Sequence, residues 1–214
     1  MPPLGVLCVH ERHYHCDRRR HQQNLYGPAN QPAPQPYIHF SLYAYKECDR
    51  IKKYSTGLFV GRFQPFHNGH LAALRYAASM CDCIVIGIGS SQKSGTSTNP
   101  FTYAQRIRMI RSAIRGSGTE SKTRIMGIPD FGDNEKWFGY IIGKVPSIDA
   151  VFTRNVLVRS IFRSHGIEVI SPRWHDRKRL RATLIRGMIA RGNRWKPRVP
   201  PGTAKEIGKL RHYG

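Results

Sequence analysis

Ten residues, GRFQPFHNGH (Gly61–His70), hold one arginine, two histidines and two glycines, with His67 and His70 three apart. They lie between an apolar run and an alanine-rich one, where a strand should give way to a helix. A helix N-terminus presents unpaired N–H groups and the positive end of the helix dipole, so it favours an anion. His67 and His70 can each donate a hydrogen bond to a phosphate and to the charge that builds on it in a transition state. Arg62 adds a fixed positive charge in a planar fork. Gly69 carries no Cβ, so a ligand could approach the backbone there. The same residues could instead cap the helix while one imidazole packs on the sheet. The stretch is not one of the common phosphate loops, since neither GxGxxG nor GxxxxGK[ST] occurs in it.

The elements that must position these residues are legible in the hydrophobic pattern. GLFVGR (Gly57–Arg62) reads as a strand and NGHLAALRYAASM (Asn68–Met80) as a helix. CIVIGIG (Cys83–Gly89) is a continuous β-branched run of the kind found in buried parallel strands. A polar loop over 91–100 leads to TYAQRIRMIRSAIR (Thr102–Arg115), which sets Ile107, Ile110 and Ile114 on one helical face and opens with Thr102 and Gln105 at capping-box spacing. Strands follow at Thr123–Ile128, Asp149–Thr153 and Ile167–Ser171, and helices at Asp133–Val145, Asn155–Gly166 and Ala182–Gly192, with a short one from Thr203. Asn155 is the N-cap and Gly166 the C-cap of their helix. This alternation implies an α/β fold: a Rossmann-like, doubly wound parallel sheet of five strands with helices on both faces and right-handed crossovers. Ligands in such sheets bind beyond the carboxyl ends of the strands, where Gly61–His70 stands.

The chain has 214 residues and a formal net charge of +22, which points to a polyanionic partner such as a nucleotide or nucleic acid. No apolar run approaches the roughly 18 residues of a membrane span, and the N-terminus does not resemble a signal peptide. Five cysteines without a CxxC pair suggest thiols in a reducing, cytoplasmic compartment. Residues 1–54 are rich in His, Arg, Gln and Pro and show no apolar periodicity, so they are read as a disordered extension, untranslated if the true start lies downstream. Residues 55–214 are read as the folded domain. The Cys and His residues of CVHERHYHC (Cys8–Cys16) match no zinc-finger spacing.

HNGH (His67–His70) resembles the HxGH motif of the nucleotidyltransferase superfamily, and GRFQPFHNGH is similar to the first motif of archaeal-type nicotinamide-nucleotide adenylyltransferases. NPFT (Asn99–Thr102) with Arg106 resembles that family's second motif, and NEKW (Asn134–Trp137) its NxxW element. TRNVLV (Thr153–Val158) and LRATLIR (Leu180–Arg186) follow in the family's order. The resemblance runs from Gly57 to about Leu210.

That resemblance implies adenylyl transfer from ATP to nicotinamide mononucleotide, giving NAD and pyrophosphate, with magnesium accompanying ATP. It implies that His67, His70 and Arg62 are catalytic; that Gly61, Gly69, Arg106, Thr183 and Arg186 bind ATP; and that Asp130, Asn134 and Trp137 line the mononucleotide pocket. Trp137 is suited to stacking on a cationic nicotinamide ring, although on composition alone it reads as a core aromatic beside Phe138 and Ile141. No protein ligand is assigned to the metal, because the phosphates supply its main ligands. A homo-oligomer is implied; nucleic acid and membrane are not expected as partners. The chain departs from the family in having Gln105 for Glu, Arg181 for Ser and Leu184 for Glu, and in its long N-terminal extension. Two other readings remain at this point: an HxGH transferase with another phosphate acceptor, and a non-catalytic nucleotide- or nucleic-acid-binding protein whose basic face is RWHDRKRLR (Arg173–Arg181).

Overall fold

The computed structural model describes residues 53–173, 176 and 178–210, all within the compact unit Cys48–Gly214. The expected extension therefore lies almost wholly outside the described residues. Five strands, β1 (Tyr54–Gly61), β2 (Cys81–Gly89), β3 (Thr123–Ile128), β4 (Ala150–Phe152) and β5 (Glu168–Ile170), form one sheet in the order β3-β2-β1-β4-β5. Every pairing is parallel. The helices are α1 (Asn68–Met80), α2 (Tyr103–Ile114), α3 (Asn134–Lys144), α4 (Val156–Ser164), α5 (Ala182–Ala190) and α6 (Pro201–Gly208). Among the described residues no helix is long and apolar enough to cross a membrane.

Alternation along the strands divides the core between the two faces, because successive side chains of a strand point to opposite sides. Phe59 of β1 and Ile84, Ile86 and Ile88 of β2 pack with Leu74 and Ala77 of α1, Met109 and Ile110 of α2 and Ile185 of α5. Leu58 and Val85, one residue out of phase, pack instead with Ile141 of α3 and Val158 and Phe162 of α4. The doubly wound arrangement expected from the β-branched runs is thus the one observed. The strand order also places a switch point between β1 and β4: the chain leaves β1 towards β2 on one side, and β4 lies on the other. A crevice opens at the carboxyl ends of such a strand pair.

Local signals set most boundaries. Helix α1 spans the expected Asn68–Met80, and α2 opens on a reciprocal Thr102–Gln105 capping box, with Gln105 N–H donating to Thr102 Oγ1 at 3.2 Å and Thr102 N–H to Gln105 Oε1 at 2.8 Å. The Gln in place of the family's Glu leaves this cap intact. Differences arise where polar residues conceal paired backbone. Strand β1 begins at Tyr54, three residues before the expected start, and Tyr54 is buried, paired in register with Cys81 and edge-on to the Phe152 ring. The expected boundary between residues 54 and 55 therefore falls inside the sheet. Lys53 also belongs to the fold, through its ion pair with Glu168 at 3.1 Å. Helix α4 ends on His165 as C-cap, with Gly166 one position beyond in the left-handed region (φ 72°). A 3₁₀ turn, Lys196–Arg198, and an earlier start for the last helix were not anticipated.

Candidate active site

The turn after β1 carries the chemistry. Gly61 ends the strand, and a Cβ there would stand 2.7 Å from the Phe63 ring. Phe63 takes a left-handed backbone (φ 51°), which costs a non-glycine residue of order 1–3 kcal/mol. In that conformation its ring is fully buried and meets His70 edge-on at 5.0 Å between centroids. Phe63 is thereby turned into the core and Arg62, its neighbour, out to solvent.

His67 and His70 together make the first turn of α1. His67 is the N-cap: its Nδ1 accepts from the His70 N–H at 3.3 Å, and His70 Nδ1 accepts from the His67 N–H at 3.3 Å. The two rings stack 3.6 Å apart. A ring nitrogen that accepts a hydrogen bond carries no proton, so both neutral imidazoles hold theirs on Nε2. Burial drives the His67 pKa down to about 4. Burial, and then the neighbouring His67, hold His70 well below its ordinary value. The pair therefore offers two neutral Nε2–H donors rather than two cations. Gly69 serves this arrangement more directly than expected, since a Cβ there would stand 3.1 Å from His67 Cε1. The glycine makes room for the imidazole itself. Capping and donation, alternatives in the sequence, are compatible because each ring has two nitrogens.

Two clefts of about 450 Å³ each adjoin at the carboxyl ends of β1 and β4. The first is lined by Gly61, Ser90, Asp130, Asn134, Trp137 and Leu157 among others, which brings together the three residues expected at the mononucleotide pocket. The second is lined by His67, Gly69, His70, Arg154, Arg173 and Arg181 among others. Val60, Arg62 and Asn155 line both. Trp137 shows that its two readings coexist: it meets Phe162 of α4 edge-on at 6.1 Å and presents its remaining surface to the first cleft. The Asp130 carboxylate is engaged on both oxygens, by Ser90 Oγ at 3.0 Å and Lys93 Nζ at 2.9 Å, so it fixes the wall of the cleft.

Three residues expected on the phosphates make hydrogen bonds within the protein. Arg106 is completely buried and lines neither cleft. Its guanidinium donates to the carbonyls of Thr102 (3.4 Å), Arg62 (3.1 Å), Gly89 (2.8 Å), Ser90 (3.1 Å) and Ser91 (3.4 Å). The five carbonyls match its five N–H groups. Arg106 ties the turn after β1 to the turn after β2. Arg186 donates to the carbonyls of Ser97 (2.9 Å) and Gln64 (3.0 Å) and to Thr183 Oγ1 (3.4 Å), linking α5 to both loops. Neither Thr183 nor Arg186 lines either of these two clefts. In these placements Arg106 spans the two turns, and Thr183 and Arg186 stand where α5 meets the loops at Gln64 and Ser97. Arg181 is the N-cap of α5 and makes no side-chain cap. Asn155, expected as a helix cap within the TRNVLV element, also lines both clefts.

No group of three His, Cys, Asp or Glu side chains comes together among the described residues. Asp130 is engaged as described, and Asp133 accepts from the Lys136 N–H at 2.7 Å as N-cap of α3. This donor set suits a divalent ion that arrives on a polyphosphate, not one held in a protein cage.

The sheet order and the paired clefts at its switch point define a doubly wound nucleotide-handling protein. A cytidylyltransferase-like family model matches residues 58–187. The nicotinamide-nucleotide adenylyltransferase of Thermococcus onnurineus is 42% identical over 155 residues, which are 72% of this chain and 83% of that protein. That of Saccharolobus solfataricus is 38% identical, over 73% of this chain and 92% of its own. The chain belongs to the nicotinamide-nucleotide adenylyltransferase family of cytidylyltransferase-like proteins. Its fold is shared with a bifunctional NMN adenylyltransferase/ADP ribose pyrophosphatase from Francisella tularensis (TM-score 0.66, 24% identity), over 75% of this chain and about half (51%) of that one. It is shared also with a Plasmodium falciparum nicotinic acid mononucleotide adenylyltransferase (TM-score 0.53, 14% identity), over 75% of this chain and 97% of the other.

Proposed function

We infer that this chain transfers the adenylyl group of ATP to nicotinamide mononucleotide, releasing pyrophosphate and forming NAD. The observation that carries this reading is the pair of adjoining clefts, one with two imidazole Nε2–H donors and arginines, the other with an aromatic platform and amides, sharing Arg62 at their seam. Such a pair suits two phosphate-bearing substrates that meet end to end.

In this mechanism ATP occupies the histidine cleft and the mononucleotide the tryptophan cleft. An oxygen of the mononucleotide phosphate attacks the α-phosphorus of ATP. A new P–O bond forms, the bond from the α-phosphorus to the α,β-bridging oxygen breaks, and pyrophosphate leaves with that electron pair. The attacking phosphate is already anionic, so no general base is required, and catalysis rests on alignment and on donors placed where charge develops. His67 and His70 donate Nε2–H to the phosphate oxygens without changing protonation state. Arg62 neutralises charge between the two phosphates. Trp137 stacks on the nicotinamide ring, with Asn134 beside it. Magnesium enters bound to ATP as part of the substrate, where it offsets triphosphate charge. We further propose that residues 53–210 suffice for the reaction and that the protein assembles from identical copies, which light-scattering mass measurement tests.

The test is to mix purified protein with ATP, magnesium and nicotinamide mononucleotide and follow NAD. Formation of NAD above a protein-free control, with at least a 100-fold fall in His70→Ala, is expected for loss of one preorganised donor. Folded protein that makes no NAD would refute the reading.

A further inference from the structure

Asn155 stands at the seam of the two clefts with its orientation fixed. Its backbone N–H donates to Thr153 Oγ1 at 3.2 Å, and Thr153 is itself buried at the end of β4. Its Oδ1 accepts from the Val158 N–H at 3.1 Å, capping α4. With Oδ1 committed to the helix, the part of the amide left to face the clefts is the Nδ2 group, which carries two donors and no acceptor. Asn155 and Arg62 are the two polar residues lining both clefts. Arg62 reaches the seam from the end of β1 and Asn155 from the end of β4, the two strands flanking the switch point.

We propose that Asn155 donates from Nδ2 to the reacting phosphates at the seam and is a catalytic residue of this chain. The inference rests on the two-cleft reading of adenylyl transfer. A side chain whose Oδ1 is already fixed on the Val158 N–H, on a backbone pinned to Thr153, needs little reorganisation when negative charge grows on the α-phosphate, and that is the condition under which a neutral donor stabilises a transition state most. The helix cap gives the residue a second role.

The two roles separate in the variants Asn155→Asp and Asn155→Ser. Aspartate and serine cap a helix about as well as asparagine, so both variants should unfold at the wild-type urea midpoint. The aspartate of Asn155→Asp would replace two donors with an anion facing phosphates, and kcat for NAD formation should fall at least 100-fold. The serine of Asn155→Ser keeps one short donor, and that variant should lose about tenfold, mainly in kcat and not in the KM for ATP. Asn155→Asp with kcat within threefold of wild type would overturn the proposal. So would a loss of activity that tracks a loss of stability in Asn155→Asp while Asn155→Ser is fully active, because the cap alone would then account for the residue. Wild-type protein that makes no NAD would instead remove the adenylyl-transfer reading beneath it.

Discussion

The histidine pair makes a quantitative prediction about acid. Burial lowers the His67 pKa from its ordinary value of 6.5 to about 4. Between these values the folded state holds the ring neutral while the unfolded chain binds a proton. Stability from this group is therefore fully present above pH 6.5, is lost progressively as pH falls, and is gone below about 4. The fall from 6.5 to about 4 corresponds to ~3 kcal/mol. His70 is shifted in the same direction, and its loss adds to this. The perturbation is His67→Asn, which keeps an N-cap acceptor but does not titrate. Urea unfolding of wild type and variant at half-unit steps from pH 7.5 to about 4 gives two stability curves, and their difference reports His67 together with the part of the His70 shift that His67 causes. His165 is shifted upward, by its bond to the Ile161 carbonyl and by Glu135, but it is present in both proteins and cancels. The difference should change by ~3 kcal/mol across the interval, wild type losing more. Parallel curves would refute the buried, neutral pair. The same reasoning requires NAD formation to show no fall attributable to histidine deprotonation as pH rises from about 6 to 8, because both donors are neutral throughout.

Other outcomes follow from the same geometry. Arg106→Lys should destabilise the fold by roughly 2–4 kcal/mol, since one ammonium cannot serve five carbonyls; a raised KM for ATP at unchanged stability would instead restore the phosphate role. Arg181→Ser should give α5 a side-chain cap and about 1 kcal/mol of stability while raising the KM for ATP severalfold; an unchanged KM would mean that the guanidinium does not reach the triphosphate. A chain beginning at Lys53 should retain activity, whereas one beginning at Thr56 should lose roughly 3–5 kcal/mol with the buried Tyr54 ring, and thermal unfolding of the two compares them directly.

Much of this protein is written locally. The Thr102–Gln105 box, the Asn155 cap and the β-branched run ending at Gly89 each depend on residues a few positions apart, and the corresponding elements formed where their patterns ended. The two histidines and the arginine of the first turn were also legible, because their types and spacing are themselves the signal. Tyr54 was not, for its partners Cys81 and Phe152 are distant in sequence and its neighbours are polar.

Tertiary structure decided what the local pattern left equivalent. An arginine one turn into a helix can face a phosphate or a set of carbonyls, and only the approach of the turns after β1 and β2 shows that Arg106 has taken the second. The neutrality of His67 and His70 depends on Phe63 and the sheet closing over them, which no spacing encodes. The strand order brings Asn155 to Arg62 although 93 positions separate them in the chain. Caps and strands are fixed by interactions within a few residues; protonation states and shared clefts are fixed by which distant surfaces exclude water together, and that is settled only when the sheet assembles.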